Sequence, residues 1–129
     1  MKLFNRPSSL FEVGQRISEG DDPGRTVKNF LHEFEVLPDK QASLLQPPAP
    51  LASCRPDGLM LDAFLQALAV YLAAKTDSNI PVWTQPPIQL PDPWFASPGE
   101  AIRNYLLISS PAPFRARNLF LDEDSLKVL

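Results

Sequence analysis

The sequence predicts a mostly α-helical fold, a small single-domain helical bundle with an irregular, proline-rich C-terminal half. The chain has 129 residues, 44% of them hydrophobic, which is enough to bury one core. The stretch Gly58–Lys75 repeats large apolar side chains at helical spacing over about five turns. Fifteen prolines against five glycines interrupt the remaining chain, because each proline removes a backbone donor and fixes φ.

Two amphipathic helices are predicted at the beginning of the chain. Ser8 or Ser9 can cap a short first helix, since apolar residues follow at helical spacing. Asp22 precedes Pro23, so a capping residue is followed by proline at the first helical position, and this second helix should end near Val36. The expected buried residues are Leu10, Val13 or Gly14, and Ile17 in the first helix, and Val27, Phe30, Leu31 and Phe34 in the second.

A short third helix and a long fourth helix are expected next. Residues 39–45 predict the short helix, with Ala42 and Leu45 facing inward. Asp57 can cap the long helix Gly58–Lys75, which is apolar nearly all round and therefore predicts the centre of the core. Its large apolar residues are Leu61, Phe64, Leu65, Leu68, Tyr71 and Leu72.

The chain is expected to form a single domain over residues 1–129. An N-terminal helical pair at about 8–45 is joined to the core helix and the later motifs at 57–129 by a segment at 46–56. That segment is rich in proline and predicts a stiff, extended linker that could act as a hinge. Neither side is long enough to bury a strong core alone, so the linker is not a domain boundary.

The C-terminal half should contain one more helix among short elements. Ser97 followed by Pro98, with Glu100 three residues after the serine, is a helix-start signal, and the helix should extend to about Ser109. Its inward or sideways residues are predicted to be Ala101, Ile102, Tyr105, Leu106 and Ile108 or Ser109. The other expected elements are one turn or extended strip after residue 81, a helical turn or loop from residue 110, an extended segment at 118–121 and a final turn at 122–127.

The residues that usually carry catalysis or bind metals are sparse. His32 and Cys54 are the only residues of their types, and they do not form a cluster of ligands or a nucleophile with its base. We expect His32 to be a surface or half-buried structural residue and Cys54 a small buried or half-buried one. The acidic residues 122–124 fit a helix N-terminus. Phosphate-binding and nucleophile-elbow motifs are absent, so we expect no enzyme activity, no metal and no cofactor.

Charge and hydropathy restrict the location and the partners. The net charge of −3 argues against a protein that binds nucleic acid on its own. No apolar run approaches about 20 residues, and the N-terminus lacks the apolar region of a signal peptide. A single cysteine fits a reducing compartment. We therefore expect a soluble, cytoplasmic protein.

Aromatic and cationic residues in the C-terminal half are candidates for a binding surface. In an extended segment Arg115 and Arg117 would point to one side, where two guanidinium groups could grip phosphate or carboxylates of a partner. Alternatively, they are surface arginines whose stems pack on aromatic rings. Trp83 and Trp94 lie in proline-rich sequence and are either core anchors or interface residues.

The C-terminal half resembles a family of short bacterial proteins. The resemblance is carried by P-V-W-T at 81–84, P-D-P-W-F-A at 91–96 and S-S-P-A-P-F-R-A-R-N-L-F at 109–120, and more loosely by F-L-H-E-F at 30–34. Ala116 departs from the family's run of three arginines. Members are typically encoded beside a nucleotidyltransferase-fold protein and are presumed antitoxins of toxin–antitoxin pairs.

The resemblance implies a non-enzymatic protein-binding module, the antitoxin-like partner of a nucleotidyltransferase-fold toxin. The residues expected to bind the partner are Trp83, Trp94, Phe95, Phe114, Arg115, Arg117 and Asn118. The alternative is a DNA-binding regulator or accessory protein of the same operon, because some relatives carry this region behind a helix-turn-helix domain. No separate helix-turn-helix segment is evident in this chain, and its most basic helix also carries Glu33 and Glu35.

Overall fold

The computed structural model describes residues 5–127 and confirms the mostly α-helical prediction. The helices are α1 (Leu10–Ser18), α2 (Pro23–Val36), α3 (Ala42–Leu45), α4 (Gly58–Lys75), α5 (Glu100–Ser109) and α6 (Ala112–Arg115). Two short strands, β1 (Trp94–Phe95) and β2 (Leu119–Phe120), and two 3-10 turns, Val82–Thr84 and Glu123–Leu126, complete the described elements.

The first two helices begin where their capping residues predict. The hydroxyl of Ser9 accepts a hydrogen bond from the backbone N–H of Glu12 at 3.1 Å. The carboxylate of Asp22 accepts one from the N–H of Arg25 at 2.9 Å. Every residue expected on the apolar sides of α1 and α2 is buried, so the helical periodicity identified both faces correctly.

Helix α3 differs from its prediction in length and in orientation. It is a single turn that begins at Ala42, and its buried residues are Ser43 and Leu44. Ala42 is exposed and Leu45 is 52% exposed, so the expectation that these two residues face inward is wrong. One turn offers too few positions for periodicity to show which side meets the core.

The proline-rich segment at 46–56 packs against the core instead of standing apart from it. Leu51 is fully buried, and its backbone N–H donates to one carboxylate oxygen of Asp62 at 2.8 Å, while the N–H of Ala52 donates to the other at 3.1 Å. A Cβ atom on Gly58 would lie 1.9 Å from the carbonyl oxygen of Leu51. The glycine therefore permits the backbone of this segment to approach the start of α4.

Helix α4 forms the centre of the core, as predicted. Eleven of its 18 residues are buried, and Phe64 is half-buried against the same cluster. The helix is long and apolar enough to span a membrane by length and composition, but its burial inside the protein is that of a soluble protein's core helix. Asp57 precedes the helix without capping it, because its carboxylate binds the guanidinium of Arg55.

Helix α5 starts later than predicted and is mostly solvent-exposed. Gly99 adopts a φ of 109°, which separates Ser97 and Pro98 from the first helical turn, so Ser97 makes no cap. Leu106 is the only buried residue of the helix. Ala101, Ile102, Tyr105 and Ile108 are exposed, so they do not lie inward, whereas Ser109, the alternative to Ile108, is half-buried.

The short elements on either side of α5 complete the fold, and α6 packs on α4. Strand β1 pairs in parallel with β2, and Trp94 lies opposite Leu119. The hydroxyl of Ser110 donates to the carbonyl of Leu106 and accepts the N–H of Leu121 at 2.9 Å, which links the end of α5 to the chain after β2. The helical turn or loop predicted from residue 110 is the helical turn α6, and the predicted final turn is present. The segment predicted to be extended at 118–121 is a strand only at Leu119–Phe120, because Asn118 takes a left-handed conformation.

Candidate partner-binding surface

Arg117, expected on the surface beside Arg115, lies inside the protein. Its residue exposure is 2%, and its guanidinium donates to three neutral oxygens. These are the side-chain oxygen of Gln66 at 3.0 Å and the backbone carbonyls of Thr84 at 3.0 Å and Pro113 at 2.9 Å. Burial lowers the pKa of Arg117. A side chain held in this way links α4, the Val82–Thr84 turn and α6, and it is closed to a partner.

The side chains of Arg115 and Arg117 point in different directions because the backbone between them forms a helical turn and is not extended. Helix α6 ends at Arg115, and the N–H groups of Arg117 and Asn118 bond back to Phe114 and Arg115. Asn118 then takes a φ of 67°, a left-handed conformation that asparagine tolerates better than most residues. Its side-chain amide donates to the carbonyl of Leu90 at 3.0 Å. The predicted extended geometry, with both guanidinium groups on one side, is therefore wrong.

Gln66 is a structurally important residue that the sequence analysis missed. Besides the N–H of Arg117 it accepts the backbone N–H of Ile88 at 2.9 Å, so one amide oxygen joins two loops to α4. The sequence contains a signal that could have identified Gln66. Asp62 and Gln66 are the polar residues in the middle of an otherwise apolar helix, and they lie four residues apart, which places them on one face. Both bind backbone or side-chain groups of segments that cross that face.

Phe114 and Trp83 also serve the core more than the surface. Phe114 is fully buried and meets the rings of Phe64 and Tyr71 edge-on, with centroid distances of 5.3 and 6.1 Å. Trp83 is half-buried, and its indole N–H donates to the carbonyl of Leu44 at 2.8 Å. The prediction that Phe114 contributes to a binding surface is wrong for this conformation, because no part of its ring reaches solvent.

Phe95 and Trp94 lie at the surface, next to α5. Both are half-buried. The ring of Phe95 stacks on Phe120 at a centroid distance of 5.0 Å, and the guanidinium of Arg103 lies over the same ring at 5.2 Å. Arg103 therefore connects the β1–β2 pair to α5. Of the residues expected to bind a partner, Arg115 is exposed, and Trp83, Trp94, Phe95 and Asn118 are half-buried.

Helix α5 presents the most unusual surface of the described chain. Four of its large apolar side chains face solvent, with exposures of 44% for Ile102, 53% for Tyr105, 47% for Leu107 and 81% for Ile108. Ala101, Tyr105 and Ile108 follow one another at the spacing of a helical stripe, on the side away from Leu106. Contiguous apolar surface of this kind is typical of an interaction site. We refer to Ala101, Ile102, Tyr105 and Ile108 as the α5 face.

An apolar groove lies beside Trp94 of β1. It encloses about 570 Å³ between α2, α4 and the C-terminal turn, with Trp94 at its border. Val27, Leu31, Met60 and Phe64 line its walls. Its rim carries Lys28 from α2 and the ion pair of Lys127 with Asp124 (3.2 Å) from the C-terminal turn. We refer to this feature as the α2–α4 groove.

Arg115 borders a separate, shallow depression. The depression has a volume of about 230 Å³ and is also lined by Gln89, Leu90 and Asn118. Arg115 is exposed, while the amide groups of Gln89 and Asn118 donate to backbone carbonyls of Ala116 and Leu90. The exposed guanidinium of Arg115 can form an ion pair with a partner, but it does not form the paired clamp that the sequence suggested, because Arg117 is buried.

The C-terminal turn is joined to α4 by a tyrosine and a carboxylate. The hydroxyl of Tyr71 donates to Glu123 at 2.7 Å, and the ammonium of Lys75 lies 3.4 Å from the same carboxylate oxygen. The hydrogen bond from Tyr71 and the charge of Lys75 hold the pKa of Glu123 below its usual value. Burial, and then the bond to Glu123, raises the pKa of Tyr71. Asp122 caps this turn, as predicted for the acidic residues.

The remaining candidate groups do not converge on a reaction centre. Cys54 is exposed in the turn after Leu51, which corrects the expectation of a buried or half-buried thiol. His32 is half-buried. Within residues 5–127, no three His, Cys, Asp or Glu side chains lie close enough together to hold a metal ion.

Comparisons with known protein families, with curated proteins and with solved structures found no match to this chain.

Proposed function

We propose that this chain is a non-enzymatic, cytoplasmic protein-binding module, the antitoxin-like partner of a nucleotidyltransferase-fold toxin. The observation that carries the proposal is the exposed α5 face. A ten-residue helix that leaves Tyr105 and Ile108 in water gains free energy when a partner covers them. The resemblance of the 81–120 motifs to presumed antitoxins supplies the class of the partner.

The residues proposed to bind the partner follow from accessibility. The α5 face supplies apolar area, and the half-buried Trp94 and Phe95 of β1, with Arg103 over the ring of Phe95, add aromatic and cationic groups. Tyrosine, tryptophan and arginine are the residue types that dominate binding energy at protein interfaces. Arg115 adds one charge that can pair with an acidic or phosphate group of the partner. Arg117 and Phe114 are buried, so we assign them to holding neighbouring segments on α4 and not to contact with the partner.

Co-purification with the protein encoded by the adjacent reading frame tests the proposal. The chain and a tagged neighbour would be expressed together, with Ile108→Asp as the interface variant. We expect this variant to weaken binding by at least about tenfold, because a carboxylate would be buried in an apolar contact. Val36→Asp is the matched control, since Val36 is 67% exposed and lies outside both the α5 face and the 81–120 motifs. Equal capture of both variants, or no capture of the wild-type chain, would refute the proposal.

A DNA-binding regulator is the competing function. Helix α2 exposes Arg25 and Lys28, but Glu35 is also exposed and Glu33 is half-buried on it, which weakens any attraction to phosphates. A gel shift with the upstream promoter fragment, repeated at rising salt, distinguishes the two functions. Binding by this chain alone would favour the regulator.

A further inference from the structure

Residues 97–109, which contain α5, are attached to the rest of the protein by few contacts. We propose that this segment, which we name the α5 loop, unfolds and refolds as a unit while the remainder of the described chain stays folded. The α5 face is then an ordered surface in the closed form and part of an unstructured loop in the open form. The opening is a property of the chain alone and does not require a partner.

The two ends of the α5 loop are fixed to consecutive residues of the chain. The backbone N–H of Ala96 donates to the carbonyl of Phe120 at 2.9 Å. The hydroxyl of Ser110, which is 2% exposed, accepts the N–H of Leu121 at 2.9 Å. Loops of roughly 6–16 residues whose ends lie close together are a recurrent surface structure. The helix can therefore open between these two anchors without breaking the β1–β2 pair.

One buried side chain holds the helix against the protein. Leu106 is 2% exposed, but it does not belong to the contiguous apolar cluster around α4. Arg103 adds a contact at the surface, over the ring of Phe95. Among the hydrogen bonds and ion pairs of residues 5–127, none joins a side chain of the α5 loop to another part of the chain. Opening the loop therefore leaves the core around α4 intact.

The helix also has little stability of its own. Its ten residues are fewer than the roughly 12–15 that an isolated helix needs in water. Gly99 precedes the helix and offers no side chain to cap its first N–H groups. In the described part of the chain, the Oγ atom of Ser109 is the one buried side-chain oxygen or nitrogen that has no hydrogen-bond partner in the protein. Burying that hydroxyl destabilises only the closed form.

The opening has a consequence for the binding of a partner, and this step rests on the proposed function. A partner that recognises the α5 face finds it only in the closed form. Its apparent Kd therefore rises as the closed fraction falls.

Hydrogen exchange of the purified chain, followed amide by amide by NMR, tests the opening. Amides of α5 should exchange at least about 100-fold faster than amides of α4, because they need only the local opening and not global unfolding. Low concentrations of urea should accelerate the α4 amides more steeply than the α5 amides, because local opening exposes less surface.

Two substitutions of buried residues separate local opening from global unfolding. Leu106→Ala should bring the α5 amides close to the exchange rate of an unstructured peptide and leave the α4 amides unchanged. Phe114→Leu is the matched control, since Phe114 is fully buried against Phe64 of α4. It should accelerate the α4 amides about tenfold and leave the α5 amides unchanged.

Ser109→Ala should act in the opposite direction on the same loop. It removes the unpaired hydroxyl and supplies a better helix former, so the α5 amides should exchange about threefold more slowly or less. Equal exchange in α5 and α4 of the wild type would overturn the inference, and so would a Leu106→Ala variant that accelerates both helices alike. Unchanged or faster α5 exchange in Ser109→Ala would also contradict it. The neighbouring protein is absent from these measurements, so their failure leaves the proposed function open to its own test.

Discussion

At the scale of single residues, Arg117 shows how burial changes the role of a side chain. Its three neutral acceptors belong to Gln66, Thr84 and Pro113, in three separate segments. No carboxylate is needed, because carbonyl dipoles around a guanidinium satisfy its donors while the charge itself is spread over a plane. Arg117 therefore links three segments of the protein. Arg115, two positions earlier, is exposed and is the arginine that a partner could reach.

We predict that Arg117→Met lowers the free energy of unfolding by about 3 kcal/mol, because the buried carbonyl of Thr84 and the part-buried carbonyl of Pro113 lose their donor. Urea denaturation followed by circular dichroism measures this change. Arg115→Met is the matched control and should shift stability by no more than about 0.5 kcal/mol, since its side chain is exposed. Equal effects of the two substitutions would contradict the assigned roles.

At the scale of elements, the sequence was a good guide wherever a cap or a long period was present. The bounds of α2 and α4 agree with the prediction because a capping aspartate with proline, and five turns of apolar spacing, act locally. Helix α5 has an equally clear apolar pattern, but that pattern faces water. The spacing of apolar residues shows that a helix has an apolar face, but it does not show whether that face is buried in the core of the same chain or exposed to solvent.

The close approach at the start of α4 gives a prediction for the proline-rich segment. Gly58→Ala should destabilise the protein by about 2 kcal/mol or more, because the new Cβ would meet the backbone of Leu51, which cannot move aside as a flexible side chain can. Thermal and urea unfolding report the loss. Gly24→Ala is the control, because its Cβ would meet only the Asp22 carboxylate at an ordinary 3.5 Å. That variant should be neutral or up to about 1 kcal/mol more stable.

At the scale of the whole molecule, the sequence could not reveal which distant segments meet. The site of Arg117 is assembled from residues 33 and 51 positions away, so no local pattern marks it. The same holds for Phe114, whose partners Phe64 and Tyr71 lie on α4. Fold class and helix positions are therefore predictable from local rules, whereas the division of the aromatic and cationic residues between core and surface depends on tertiary packing.

The contact between Tyr71 and Glu123 links stability to pH at both ends of the scale. The pKa of Glu123 is lower in the folded chain, so its contribution is present above the unfolded value of about 4.3 and is lost as pH falls through the folded pKa. The pKa of Tyr71 is raised, so its contribution is present below about 10 and is lost as pH rises above that value.

We predict that Tyr71→Phe flattens both limbs of a plot of urea midpoint against pH. The variant lacks the hydroxyl that titrates at high pH and the hydrogen bond that holds the carboxylate ionised at low pH. Glu100→Gln, which changes an exposed carboxylate outside any ion pair described for residues 5–127, should leave the profile unchanged. An unaltered acid limb in Tyr71→Phe would show that Glu123 does not depend on this bond.

The burial of Phe114 and Arg117 has a consequence for how the chain is made. Helix α4 leaves the ribosome before the residues that cover its apolar side, since Phe114 and Arg117 come after it in the chain. Until those residues emerge, the nascent helix exposes an apolar surface of the kind that chaperones and proteases recognise. In a chain truncated before residue 112, that apolar surface of α4 would stay exposed. We therefore expect truncated chains to be degraded and not to accumulate.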